Sequence, residues 1–181
     1  MDNYMVKKTF IGEVKKEKDG YVAYINTKTV DRDREVVDPA GVILDNYRKN
    51  PVVLYGHRTD IPPVGKNMWI KETEDGLVAK TVFADTQMGK DIKHLYEIGA
   101  LNAFSVRFIP LDWKEVKVAE AKEKGYKVPE YLNLKDNDTI KVYTKWELLE
   151  YSVVAIPANP DAIRLAYEKG DIKTCLLYTS D

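Results

Sequence analysis

Short apolar runs separated by charged or glycine-containing turns recur along the chain, and their period is mostly two. Residues 9–14 and 21–25 read as two strands across a Lys/Glu/Asp-Gly turn. Residues 31–41 are too charged and too punctuated for a strand, and Asp38-Pro39 followed by Gly41 marks a turn or loop. The pattern predicts a short helix over 42–48, which Asn50-Pro51 stops. Residues 51–55 are apolar enough for a strand buried on both faces. Residues 64–70 and 76–83 predict a hairpin that turns at Glu74-Asp75-Gly76.

The period then changes to that of a helix. Asp85-Thr86 supplies an N-cap, Ile92, Leu95, Tyr96 and Ile98 an apolar side, and Gly99 the C′ position. An apolar strand, 103–110, follows at once. Residues 111–140, dense in Lys, Glu and Asp, are expected to form an exposed insertion. Strands at 139–143 and 145–156 restore order, and 161–167 is expected to be a closing helix. Many short strands and one or two helices predict an α+β protein whose sheet is predominantly antiparallel and barrel-like. A single domain is expected over residues 1–170. The tail, 171–181, reads as translated vector or adapter sequence rather than native protein.

Composition narrows the class more than it identifies the function. A chain of 181 residues supports one substantial core and is short for two. A hydrophobic share of 44% with 31% charged residues describes an ordinary soluble globular protein. The formal net charge of -1 gives no electrostatic case for nucleic acid or membranes as partners. The single Cys175 excludes an internal disulfide framework, which suits a reducing cytosol. The first residues lack the apolar stretch of a signal peptide, and no run approaches the roughly 18 apolar residues that span a bilayer. A soluble intracellular protein is expected.

Three strands carry candidate chemistry. His57 follows the apolar run 51–55 and Gly56, which places a group able to exchange protons near neutral pH at a sheet rim. Ser105 is a lone hydroxyl among Phe104, Val106, Phe108 and Ile109, and needs a partner if buried. The strand 145–156 holds two acids, Glu147 and Glu150. Base, nucleophile and acid are the parts of a serine hydrolase. Each also has a plainer reading: a surface histidine, a strand serine, and a carboxylate in a buried salt bridge to Arg107 or Arg58. Alternation puts Glu150 with Leu148, Ser152 and Val154, and Glu147 on the opposite face with Leu149, Tyr151 and Val153. The second histidine, His94, falls beside Lys93 on the expected helix, where a solvated face is the simpler reading. Zinc-ligand spacing, a Gly-x-Ser-x-Gly elbow, a Gly-x-Gly-x-x-Gly loop and a P-loop are all missing from the sequence.

Several segments, taken in order, resemble a known family. Residues 31–41 (Asp-Arg-Asp-Arg-Glu-Val-Val-Asp-Pro-Ala-Gly) and Asn50-Pro51-Val52-Val53-Leu54 leading to His57 are followed by Gly99-Ala100-Leu101-Asn102-Ala103-Phe104-Ser105-Val106. Last comes Glu150-Tyr151-Ser152-Val153-Val154-Ala155-Ile156-Pro157-Ala158-Asn159-Pro160. The set resembles the tailed-phage prohead maturation proteases, a family similar to the herpesvirus assemblin serine proteases. The resemblance implies an assemblin-like fold and a serine endopeptidase with Ser105 as nucleophile, His57 as base and Glu150 as third member, without a cofactor. A Ser-His-His arrangement like that of the herpesvirus enzymes would have to recruit His94. Implied substrates are the phage major capsid protein, scaffold segments and the chain itself, with possible self-association, inside a procapsid in the host cytoplasm. Backbone N–H groups after Ser105 would stabilise the oxyanion. Arg107 departs from the family, which commonly carries glycine there; it would either crowd the oxyanion region or lend it positive charge. A non-catalytic capsid-assembly or scaffold protein with the same fold is the alternative.

Overall fold

The computed structural model describes residues 6–10, 15–17 and 20–155. Within them ten strands share one sheet. These are β1 (Val6–Phe10), β2 (Lys15–Glu17), β3 (Gly20–Thr27), β4 (Glu35–Val37), β5 (Val42–Ile43), β6 (Val52–Tyr55), β7 (Gly65–Glu72), β8 (Gly76–Phe83), β9 (Ala103–Lys117) and β10 (Thr139–Val154). The main path runs β1-β9-β10-β6-β7-β8-β3-β2, with β4 and β5 also on β10. β3 packs near β1 and β9, so the sheet curls into a nearly closed barrel-like shape. Two helices accompany it, α1 (Gln87–Glu97) and α2 (Val118–Glu123).

Antiparallel pairing predominates, as expected, but the sheet is mixed, because three of its pairings are parallel. β4, β5 and β6 all run parallel to β10, meeting it at 141–143, 146–147 and 151–153 in turn. The cause is local. Three short apolar pieces follow one another along one edge of a single long strand, stepped by 3₁₀ turns at Pro39–Gly41 and Tyr47–Lys49. Val36 and Val37 are buried, so the charged 31–41 stretch hides a strand, and β-branched Val42 and Ile43 extend the same edge where a helix was expected. Elsewhere the pattern agrees with the structure: the apolar run 51–55 is buried on both faces, at Val53 and Leu54, adjacent in β6. Thr86 Oγ1 accepts the Gly89 N–H at 3.1 Å, and Gly99, φ 74°, follows the helix end.

Two hydrophobic clusters result. The larger joins Tyr47, Phe104, Val106, Phe108, Trp146, Leu148, Tyr151 and Val153 to residues of β3, β8 and α1. Its aromatic rings meet at 5.3–6.1 Å between centroids. Burial pushes the phenols of Tyr47, Tyr96 and Tyr151 upward in pKa. The smaller cluster comprises Val30, Val36, Val116, Val118, Ala121, Tyr126, Ile140 and Val142. Residues 111–140 therefore do more than carry charge: they finish β9, form α2 and supply most of this second cluster. The helix expected at 161–167 and the tail, 171–181, lie outside the described residues.

Candidate active site

β9 and β10 lie side by side, and their register decides which side chains share a face. Ser105 stands opposite Ser152, and Arg107 opposite Glu150. On β9, Phe104, Val106 and Phe108 enter the core, so Ser105 and Arg107 point the other way. On β10 the inward residues are Trp146 and Leu148 at first, then Tyr151 and Val153. The parity switches because the register shifts between Leu148 and Glu150, leaving Leu149 without a rung. This bulge turns Glu150 and Ser152 onto the face of Ser105 and Arg107. It also corrects the simple alternation, which put Leu148 with Glu150 and set Glu147 on the opposite face. Glu147 is on the outer side as well, but further along the strand opposite Ile109, where it accepts a hydrogen bond from Asn46 Nδ2 at 2.7 Å.

β6 brings His57 to this face. Its Leu54 and Tyr55 register with Ser152 and Val153, and the chain then turns through Gly56 and His57, both at φ 61°. Left-handed backbone is cheap for glycine and unusual for histidine. Four hydrogen bonds hold the turn, one of them its own, from Arg58 N–H to Tyr55 O at 3.2 Å. Gly56 N–H donates to Val153 O at 2.9 Å, His57 N–H donates to Ser152 Oγ at 3.0 Å, and Arg107 Nη2 donates to His57 O at 2.6 Å.

The imidazole closes the arrangement. Its Nδ1 lies 2.6 Å from Glu150 Oε1 and its Nε2 lies 2.6 Å from Ser105 Oγ. A carboxylate can only accept, so Nδ1 carries the proton; Nε2 is then the acceptor, and the serine hydroxyl donates to it. Glu150 Oε2 accepts from Ser152 Oγ at 2.7 Å, and Arg107 Nε stands 3.5 Å from Oε1 at ion-pair distance. The side chains of His57, Glu150 and Arg107 are only 8%, 6% and 12% exposed, so these interactions are little weakened by water. Serine, histidine and glutamate thus form one hydrogen-bonded line. Such a line can move a proton off the hydroxyl while holding the charge that appears on the ring.

The other expectations fare differently. His94 is exposed in the last turn of α1. Arg58 pairs with Asp60 at 2.6 Å instead of Glu150. Arg107 does meet Glu150, as the salt-bridge reading had it, while also holding the His57 carbonyl. Ser105 through Phe108 are paired on both sides, with β1 and with β10. Their backbone N–H groups belong to the ladders, which argues against an oxyanion hole built from the groups after Ser105. Sequence reasoning gave no role to Ser152, although its spacing two residues after Glu150 was the available signal. Among the described residues, Asp31, Asp33 and Glu35 group their carboxylates at metal-ligand spacing. The buried Asp31 Oδ1 there accepts from the Asp33 and Glu35 N–H groups, which accounts for it as a turn.

Comparison with known proteins decides the family. A model of the caudovirus prohead serine proteases matches residues 4–174. The chain belongs to that family. It is 31% identical over 146 residues to the prohead protease of Escherichia phage T5, a match covering 77% of this chain and 58% of that protein's length. Its fold is similar to that of the bacteriophage T4 capsid assembly protease. The TM-score is 0.55 at 8% identity, over 84% of this chain and 98% of the other. The prohead-protease family chain therefore carries Ser105, His57 and Glu150 in contact on one face of a barrel-like sheet.

Proposed function

We propose that the chain is a serine endopeptidase of phage prohead maturation in which Ser105 is the nucleophile, His57 the general base and Glu150 the residue that orients it. The observation that carries this reading is the unbroken line Ser105 Oγ–His57 Nε2 and His57 Nδ1–Glu150 Oε1, each link 2.6 Å. Ser105 Oγ attacks the scissile carbonyl as His57 Nε2 takes its proton, and Glu150 stabilises the resulting imidazolium without taking the proton itself. His57 then protonates the leaving amine. Water, deprotonated by the same ring, releases the acyl group and restores the hydroxyl. A non-catalytic scaffold role would leave unexplained why a strained turn brings a histidine to a buried serine and glutamate.

The relatives name the setting: a prohead protease in phage T5 and a capsid assembly protease in phage T4. By that analogy, the substrates are the phage's major capsid protein, its scaffold segments and the chain itself, inside the procapsid in the host cytoplasm. Co-production with the major capsid protein of the same phage tests the reading. Wild type should yield discrete capsid-protein fragments, and Ser105→Ala should yield none while melting at nearly the same temperature. Cleavage that survives Ser105→Ala would remove this serine from the chemistry.

A further inference from the structure

Ser152 occupies a position that neither a core serine nor a surface serine would need. It is fully buried, on the face of β10 that bears Glu150 and directly opposite Ser105. Its hydroxyl has two engagements that point to different parts of the site. It donates to Glu150 Oε2 at 2.7 Å and accepts the backbone N–H of His57 at 3.0 Å. A hydroxyl has one proton to give and lone pairs to receive with, so both bonds form together. One oxygen atom thereby ties the backbone of the base to the carboxylate that orients its ring.

We propose that Ser152 is a positioning residue: its hydroxyl fixes the left-handed His57 turn and the Glu150 carboxylate relative to each other, so that the imidazole meets Ser105 in register. The proposal rests on the assignment of Ser105, His57 and Glu150 above. His57 adopts φ 61°, a region that costs a non-glycine residue energy and persists only when the surroundings impose it. The turn's own Arg58 N–H to Tyr55 O bond closes it, and two side chains hold it from opposite ends of the residue, Ser152 at the N–H and Arg107 at the C=O. Glu150 could rotate about its terminal bond, and it is Ser152 that holds the second oxygen while His57 holds the first. Without the hydroxyl, a buried carboxylate oxygen and the part-buried His57 N–H lose a partner together, and the ring loses its fixed approach to Ser105.

The test compares wild type with Ser152→Ala, Ser105→Ala and Glu150→Gln in two readouts. The first is steady-state cleavage of the phage's own major capsid protein. Ser152→Ala should lower kcat roughly 10- to 100-fold, as misplacement of a catalytic group does, with KM within about twofold. The second is proton NMR of the resting protein, following the far-downfield Nδ1–H of His57, which is identified by its loss in Glu150→Gln. In Ser152→Ala that resonance should move upfield or broaden away, whereas a merely structural loss would leave it in place. Unchanged kcat, or a lower kcat with the resonance untouched, overturns the proposal. If Ser105→Ala cleaves as wild type does, the assignment of the site is what has failed, and the NMR comparison still decides whether Ser152 positions His57. Should Ser152→Ala not fold, Ser152→Cys keeps a weak donor of similar shape and is read the same way.

Discussion

At the scale of single residues, the chemistry turns on what a side chain can donate or accept. Glu150 is a partner for His57 because a carboxylate can only accept, which fixes the imidazole proton on Nδ1 and frees Nε2 for Ser105. Glutamine keeps the shape and loses that constraint. Its amide can donate, so the ring can turn to the tautomer that carries its proton on Nε2 and cannot take one from serine. Glu150→Gln should therefore cut cleavage by about 10²- to 10⁴-fold, leaving a rate above that of Ser105→Ala. Glu147→Gln should stay near wild type, since its hydrogen bond is to Asn46 on the exposed side. A cleavage time course of both variants, with melts to exclude unfolding, checks this. Equal, near-full activity in both would leave a Ser105–His57 dyad.

At the scale of elements, the informative places are those where a strand departs from regularity. The sequence pattern showed β6 by its continuous apolar run, buried at adjacent Val53 and Leu54, and it showed the β7–β8 hairpin and α1 by their turn and cap signals and apolar spacing. It could not show the bulge at Leu149. A bulge is one unpaired residue among apolar neighbours, and Leu148-Leu149 reads the same with or without it. That single residue moved Glu147 to the outer side. Nor could the sequence show β4, whose two buried valines sit in a run of charges that β10 and the smaller cluster tolerate at its edges. The turn after β6 is a different case, and its Gly56 can be compared with Gly76 at the start of β8. Gly56 is at φ 61° with nothing within 4 Å of an added Cβ, so Gly56→Ala should cost only the backbone term, roughly 1 kcal/mol. Gly76 has no such φ, but its added Cβ would lie 2.1 Å from the Asn26 carbonyl oxygen, where backbone meets backbone. Gly76→Ala should thus destabilise by clearly more than Gly56→Ala in denaturant melts. The reverse order would mean that the β6–His57 turn, not the close packing of β8 on β3, is the tighter constraint.

At the scale of the whole molecule, the site exists only when the sheet is complete. His57, Ser105 and Glu150 are 48 and 45 positions apart in sequence and meet because β6, β9 and β10 are neighbours. β9 and β10 are long strands whose far ends carry the smaller cluster, with the site at the other end. Residues 118–138 leave β9, form α2 and return to β10, and they are tied down on the way. Val30 N–H donates to Lys127 O, Lys127 N–H donates to Lys28 O, and the Tyr126 hydroxyl donates to Asp38. If that region were a loose insertion, a defect in it would leave the site intact. The docked arrangement predicts otherwise. Ile140→Ala, at a fully buried position of the smaller cluster, should cost about 2–5 kcal/mol. Because the same two strands serve both clusters, that loss should lower the one transition in which far-UV signal and cleavage activity disappear together. Lys135→Ala, an exposed residue of the same region, should change neither by more than about 0.5 kcal/mol. The measurement is urea unfolding of the three proteins followed by circular dichroism and by residual cleavage. An Ile140→Ala protein whose activity midpoint equals wild type, while part of the far-UV signal melts early, would show that the region unfolds as a separate unit.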